Sequence, residues 1–182
     1  MQSFHDGHGA GGAFGMFGNL ITLPDANSIP EVEQIVDLAY RSSKVPRTMR
    51  NSAAIAIAYE AVADQDVAKC SQLFDELKGI SGQMSGSVQT DHILGQLAAV
   101  TSNYESAENY FNKALKFCRS ADYRPELARS CSDYAQMLLS RGESADLEKA
   151  NELQDEAIAI ATELDMKPLL ERVLAQREIL KA

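Results

Sequence analysis

The chain has 182 residues, and 45% of them are hydrophobic, so it is long enough for one globular domain or for a short array of repeats. Its 26 acidic residues outnumber its 17 basic residues and give a formal net charge of −9. This charge opposes general attraction to phosphate backbones and to anionic membrane surfaces, so the sequence predicts neither nucleic acid nor a membrane as a partner.

The sequence also favours a cytoplasmic location. The first basic residue is Arg41, so the chain has no basic n-region of a secretory signal. The longest apolar run, residues 53–63, is too short to span a membrane. Three cysteines, Cys70, Cys118 and Cys131, are too widely spaced for a disulfide framework or a metal knuckle, and we expect them to be buried and reduced.

Residues 1–28 form a glycine-rich segment with almost no charge. Its six glycines would cost too much backbone entropy in a stable helix, so we predict a flexible segment that precedes a helical domain at residues 29–182. Apolar side chains such as Phe14 and Phe17 leave an alternative open, in which part of the segment lies against the domain or against a partner.

Two motifs in this segment are not interpreted as sites. Residues 7–12 satisfy G-x-G-x-x-G, but six preceding residues are too few for the buried strand that a dinucleotide-binding turn requires. No further ligand lies in range of His5, Asp6 and His8, so no dedicated metal site is predicted. We expect no cofactor.

From residue 29 onward the sequence predicts helices that are separated by Pro, Gly and capping residues. Ser28 caps an entry helix that reaches about Ser43, with Pro30 in its first turn. The next helices are predicted at residues 47–63, 65–78, 87–103, 104–120, 125–141 and 146–164, and the last starts at Met166 or Pro168 and ends at Leu180. Residues 80–86 are predicted as a loop, and no segment alternates like a strand.

Small and large residues recur at a fixed spacing within these helices. In the first copy Ile55, Ala56, Tyr59 and Ala68 align with Leu94, Gly95, Ala98 and Ala107 of the second, at an offset of 39 residues. The third copy has Ser130, Cys131, Tyr134, Ala150 and Ala157, with about two extra turns inserted. Small residues at such positions let helix axes approach closely, which is typical of stacked helical repeats.

With Phe111 and Ala114, the second copy resembles the tetratricopeptide repeat. The resemblance implies an all-α fold: an antiparallel helix-pair solenoid of about three pairs between an entry helix and a capping helix. Residues 146–174 are similar to the C-terminal repeats of bacterial signalling regulators that carry a cyclase or ATPase module. There Asp165 replaces a glycine of the family phrase, and Asp tolerates the left-handed conformation better than most residues.

In such arrays the first helix of each pair lines the concave face. The resemblance therefore implies a groove for a protein or peptide, formed by Arg50, Ala53, Ile57, Glu60, Gln89, His92, Gln96, Ala99, Ala128, Ser132 and Gln136.

The sequence thus predicts a non-catalytic binding module, the scaffold or sensor part of a bacterial signalling or transcription-regulatory system. The alternative is a sensor whose helix pairs shift their stacking when a small molecule or signal peptide binds. The end helices, at residues 30–43 and 168–180, would also pair with a second copy if their outer faces are apolar.

No enzyme is predicted, because the chain has no P-loop lysine, no H-E-x-x-H and no G-x-S-x-G, and no catalytic residue can be chosen. We interpret its carboxylates as solvated helix faces and His92 as facing solvent or a partner. A basic island contains Arg41, Lys44, Arg47 and Arg50. It is interpreted as a solvated junction, with an acidic peptide or a phosphate as the alternative ligand.

Overall fold

The computed structural model of the protein describes the backbone of residues 30–179 and the side chains of residues 34–178. The segment of residues 1–28, with its two motifs, lies outside these residues. Within the described part the fold is predominantly helical, as predicted. Its eight helices are α1 (Pro30–Arg41), α2 (Arg47–Ala63), α3 (Val67–Leu77), α4 (Thr90–Val100), α5 (Tyr104–Ser120), α6 (Arg124–Arg141), α7 (Asp146–Glu163) and α8 (Lys167–Ile179). None of these eight is long and apolar enough to cross a membrane.

The chain between α3 and α4 differs from the prediction. Two short antiparallel strands, β1 (Met84–Ser85) and β2 (Val88–Gln89), pair Met84 with Gln89 and Ser85 with Val88. The turn between them contains Gly86, whose φ of 61° is the left-handed conformation that tight hairpins use. The prediction that no strand occurs is therefore wrong for these four residues, and α4 begins three residues later than the predicted Ser87.

Four of the turns between helices share one backbone geometry. A non-glycine residue with positive φ follows the helix end in each, namely Gln65, Ser102, Asp122 and Asp165. The next N–H in each turn then donates to a carbonyl five residues earlier, as Met166 does to Ala161 at 2.8 Å. These are Schellman turns, in which backbone N–H groups donate to the last carbonyls of a helix. Asp165, with a φ of 52°, adopts the left-handed conformation, which Asp tolerates better than most residues.

Gly95 allows α4 and α5 to pack closely. A Cβ added at Gly95 would lie 3.0 Å from the ring of Phe111, which is 1% exposed. On α5, Ala107 and Ala114 are fully buried. The Phe111 ring in turn stacks on Tyr134 of α6, with ring centroids 5.1 Å apart. The small and large residues of the second copy therefore lie in the helix contacts that their spacing predicts.

Each helix contacts the next one along the chain, and α4 also contacts both α2 and α6. The extra turns of the third copy lie in α6, which has 18 residues against 11 for α4. The three cysteines are buried and free, as predicted. Because α4 contacts four other helices, the polar residues of the candidate site lie around it.

Candidate functional site

The side chain of His92 lies buried between two carboxylates of α6. Its Nδ1 is 3.0 Å from Glu126 Oε1, and its Nε2 is 2.8 Å from Asp133 Oδ2. Glu126 and Asp133 are seven residues apart, so they project from the same face of α6 and enclose the ring. The prediction that His92 faces solvent or a partner is wrong, because α4 packs this side chain directly against α6.

The carboxylates set the charge of this histidine. Burial alone would lower the pKa of His92, but Glu126 and Asp133 raise it to about 9. For Asp133 burial opposes ionisation, yet Arg172 and His92 hold its pKa below the usual value. His92 is therefore an imidazolium at neutral pH, and both of its ring nitrogens donate hydrogen bonds.

Further hydrogen bonds extend this arrangement to α8 and to the start of α4. Arg172 Nη2 on α8 donates to Asp133 Oδ1 at 2.9 Å, and Gln96 Nε2 donates to Asp133 Oδ2 at 2.6 Å. The backbone N–H of Gln89 donates to Glu126 Oε1 at 3.0 Å. The side-chain oxygen of Gln89 also caps α4 by accepting from the backbone N–H groups of Asp91 and His92. We call these residues the His92 cluster: Gln89, His92, Gln96, Glu126, Asp133 and Arg172.

A pocket of about 260 Å³ adjoins the His92 cluster. We call it the Gln96 pocket. Its lining combines apolar side chains with amide and hydroxyl groups, and Asp133 is its one charged residue. The lining residues are Val62, Gln65, Gln96, Ala99, Val100, Ser102, Tyr104, Phe111, Asp133, Gln136, Met137 and Ser140.

The predicted groove residues divide into three groups. Gln96, Ala99 and Gln136 come together in the Gln96 pocket. Arg50 and Glu60 are half-buried on α2 and do not line this pocket. The remaining six are buried, since α2, α4 and α6 pack on one another there; they are Ala53, Ile57, Gln89, His92, Ala128 and Ser132. Of these, Ile57 also lines a different pocket, between α1, α2 and α3.

The basic island does not converge on one point. Arg41 pairs with Asp37 at 2.6 Å, and both line a second pocket of about 630 Å³ between α1, α2 and α3. That pocket mixes acidic and basic side chains, with Asp66 and Lys69 also in its lining. Lys44 is exposed and lies outside it. No common anion site follows from this arrangement.

The sequence interpretation of carboxylates as solvated faces missed Glu126 and Asp133. It fits Asp75 and Glu152, which are exposed, whereas Glu126 is fully buried. The available signal was an acidic pair seven residues apart on a helix whose other residues are largely small or apolar. Within residues 30–179 no group of three or more His, Cys, Asp or Glu side chains could hold a metal ion.

Comparisons with protein-family models, with curated proteins and with solved structures returned no match.

Proposed function

We propose that this protein is a non-catalytic helical-repeat module, with a solenoid of the tetratricopeptide type, that binds a protein or peptide at the Gln96 pocket. The observation that carries the proposal is the convergence of Gln96, Ala99 and Gln136 from two successive first helices on one open pocket. These are groove positions that the repeat register assigns to a ligand. The four shared Schellman turns and the contacts of α4 with α2 and α6 support the repeat.

The size and chemistry of the Gln96 pocket favour a peptide over a free small molecule. Sites for drug-sized ligands usually enclose about 300 to 1,000 Å³, and a pocket of about 260 Å³ accommodates a single amino-acid side chain. Its mixed lining suits a side chain with an apolar stem and a polar end. The alternative function, a small-molecule sensor, predicts that a ligand in excess raises the melting temperature directly.

The state of His92 argues for binding and against acid–base catalysis. Both ring nitrogens are bound to carboxylates, and the raised pKa keeps the ring protonated at neutral pH. A general base needs a free lone pair within reach of substrate. The cluster instead fixes α4, α6 and α8 relative to one another, and a rigid surface loses little entropy when a ligand binds.

Selection of peptides from a displayed random library on the full chain tests this function. We expect enriched peptides whose binding is lost in Ala99→Leu, because the larger side chain fills the Gln96 pocket. The matched control is Ala121→Leu, which places the same side chain at an exposed position between α5 and α6. Failure to enrich any peptide, or equal binding by both variants, contradicts the proposal.

A cytoplasmic location and a scaffold role in bacterial signalling also belong to this proposal, and they rest on the resemblance of residues 146–174. Pairing with a second copy is supported by exposed apolar side chains on the end helices. Ile35 and Leu38 on α1 and Leu174 on α8 are each about half exposed or more. Light scattering of the wild type and of a Leu38→Gln, Leu174→Gln variant tests it, and a monomeric wild type would contradict it.

A further inference from the structure

The side chain of Gln96 lines the Gln96 pocket and carries a buried hydrogen-bond acceptor. Its Nε2 donates to Asp133 Oδ2 at 2.6 Å, and its Oε1 is buried with no partner. The amide cannot turn over, because its oxygen would then face a carboxylate oxygen. An unpaired buried acceptor is destabilising, and a ligand that donates an N–H or O–H to this oxygen removes that cost.

No unpaired charge is available to a ligand in this pocket. Asp133 is the one charged lining residue, and its two oxygens already accept hydrogen bonds from His92, Gln96 and Arg172. The raised pKa of His92 keeps a positive charge beside it at neutral pH. A cation or an anion in the pocket would therefore lose its hydration without gaining a counter-ion.

A hydrogen-bond donor and an apolar wall complete the lining. Gln136 Oε1 accepts from Gln176 Nε2 at 3.3 Å, which leaves Gln136 Nε2 to donate to a ligand. Ala99, Val100 and Met137 supply apolar surface to the same pocket. A ligand that fits has a short aliphatic stem and carries a donor and an acceptor on an uncharged end.

We propose that the Gln96 pocket binds the side-chain carboxamide of a glutamine or asparagine in the partner peptide. The ligand amide N–H donates to Gln96 Oε1, its carbonyl accepts from Gln136 Nε2, and its methylene groups contact Ala99 and Met137. This inference rests on the proposed function and specifies the residue that the pocket selects.

Three fragments of matched size test the chemistry of the pocket without a peptide. Butyramide, butyrate and butylammonium are titrated separately into the isotope-labelled full chain, and the side-chain amide resonances of Gln96 and Gln136 are followed by NMR. We expect saturable shifts with butyramide and binding about tenfold weaker or absent for the two charged fragments. Preferential binding of either charged fragment, or no shift with any of the three, overturns the inference.

Two variants and a control assign the effect to Gln96. Gln96→Met keeps the length of the side chain and removes its acceptor, and Ala99→Leu fills the pocket without altering the His92 cluster. We expect both to lose butyramide binding while circular dichroism reports an intact fold. The control is Gln72→Met on α3, whose amide also donates to a carboxylate, Glu76, at 2.8 Å. Retained binding in both Gln96→Met and Ala99→Leu contradicts the inference.

The two proposals fail in different ways. If displayed peptides bind and Ala99→Leu abolishes their binding, but no glutamine or asparagine is enriched among them, the carboxamide inference is wrong and the binding function stands. If no peptide is enriched, the binding function fails and the carboxamide inference fails with it.

Discussion

Two polar networks anchor α6, and they differ in their access to water. In the His92 cluster, His92 and Glu126 are almost completely buried. In the second network Glu108 on α5 accepts hydrogen bonds from Tyr134, Lys149 and Arg141, and its side chain is 32% exposed. Water can replace a lost partner in the second network but not in the first. Loss of an ion pair is therefore expected to cost several-fold more stability in the His92 cluster than in the Glu108 network.

The largest expected effect is that of His92→Leu, which removes the imidazolium from between Glu126 and Asp133 and leaves the buried Glu126 with only the Arg129 guanidinium, at 3.8 Å. We expect a loss of about 3 to 5 kcal/mol in the free energy of unfolding, measured by urea denaturation at pH 7. The double variant His92→Leu, Glu126→Leu removes both charges and is expected to recover part of this loss. A loss below about 1 kcal/mol in the single variant is the value for an exposed pair and would contradict the contrast between the two networks.

The His92 cluster also predicts a loss of stability at alkaline pH. The pKa of His92 is raised from 6.5 to about 9 on folding, so its contribution is complete below pH 6.5 and disappears as the pH rises through 9. We expect the free energy of unfolding to fall by about 2 to 3 kcal/mol between pH 7 and pH 10. The control is His92→Gln, which has no proton to lose, and an equally steep fall in that variant would contradict the assignment.

Glu108→Gln tests the exposed network. Lys149, Tyr134 and Arg141 lower the pKa of Glu108 to about 2, so its contribution is complete above pH 4.5 and is lost as the pH falls through 2. Because solvent screens these pairs, we expect a loss of only about 1 kcal/mol at pH 7, smaller at high salt. A loss as large as that in His92→Leu would show that exposure does not distinguish the two networks.

The smallest expected effect lies outside both networks, in the turn after α4. Ser102 has a φ of 58°, and glycine adopts this conformation without strain. Relief of about 1 to 2 kcal/mol of strain exceeds the entropy that glycine adds to the unfolded chain, so Ser102→Gly should stabilise the protein by about 0.5 kcal/mol. The measurement is the melting temperature of Ser102→Gly compared with that of Ser106→Gly. Ser106 lies within the first turn of α5, where glycine is expected to destabilise the protein.

The sequence allowed most helices to be placed, because the residues that delimit them act locally. The bounds of α2 and α5 are the predicted ones, and Gly142 ends α6 with a φ of 72°. The β1–β2 hairpin was missed, since strands of two residues carry no alternating pattern.

The His92 cluster could not have been predicted in the same way. Glu126 and Asp133 are 34 and 41 residues from His92, and no local pattern relates them. Three of the eleven predicted groove residues, Gln96, Ala99 and Gln136, do line one pocket. The sequence did not reveal that six of the eleven predicted groove residues are buried between α2, α4 and α6. Their burial depends on side-chain packing between segments that are distant in the sequence.

The four Schellman turns have a consequence for how this architecture can be altered. The same backbone hydrogen bond closes each reversal, and the side chains of Gln65, Thr101 and Ser120 add a second bond in three of the four turns. A helix pair could therefore be duplicated between equivalent turn positions, such as Asp122 and Asp165, which enclose α6 and α7, with both junctions keeping their native path. The length of the helical chain is in that sense open to engineering, one pair of helices at a time.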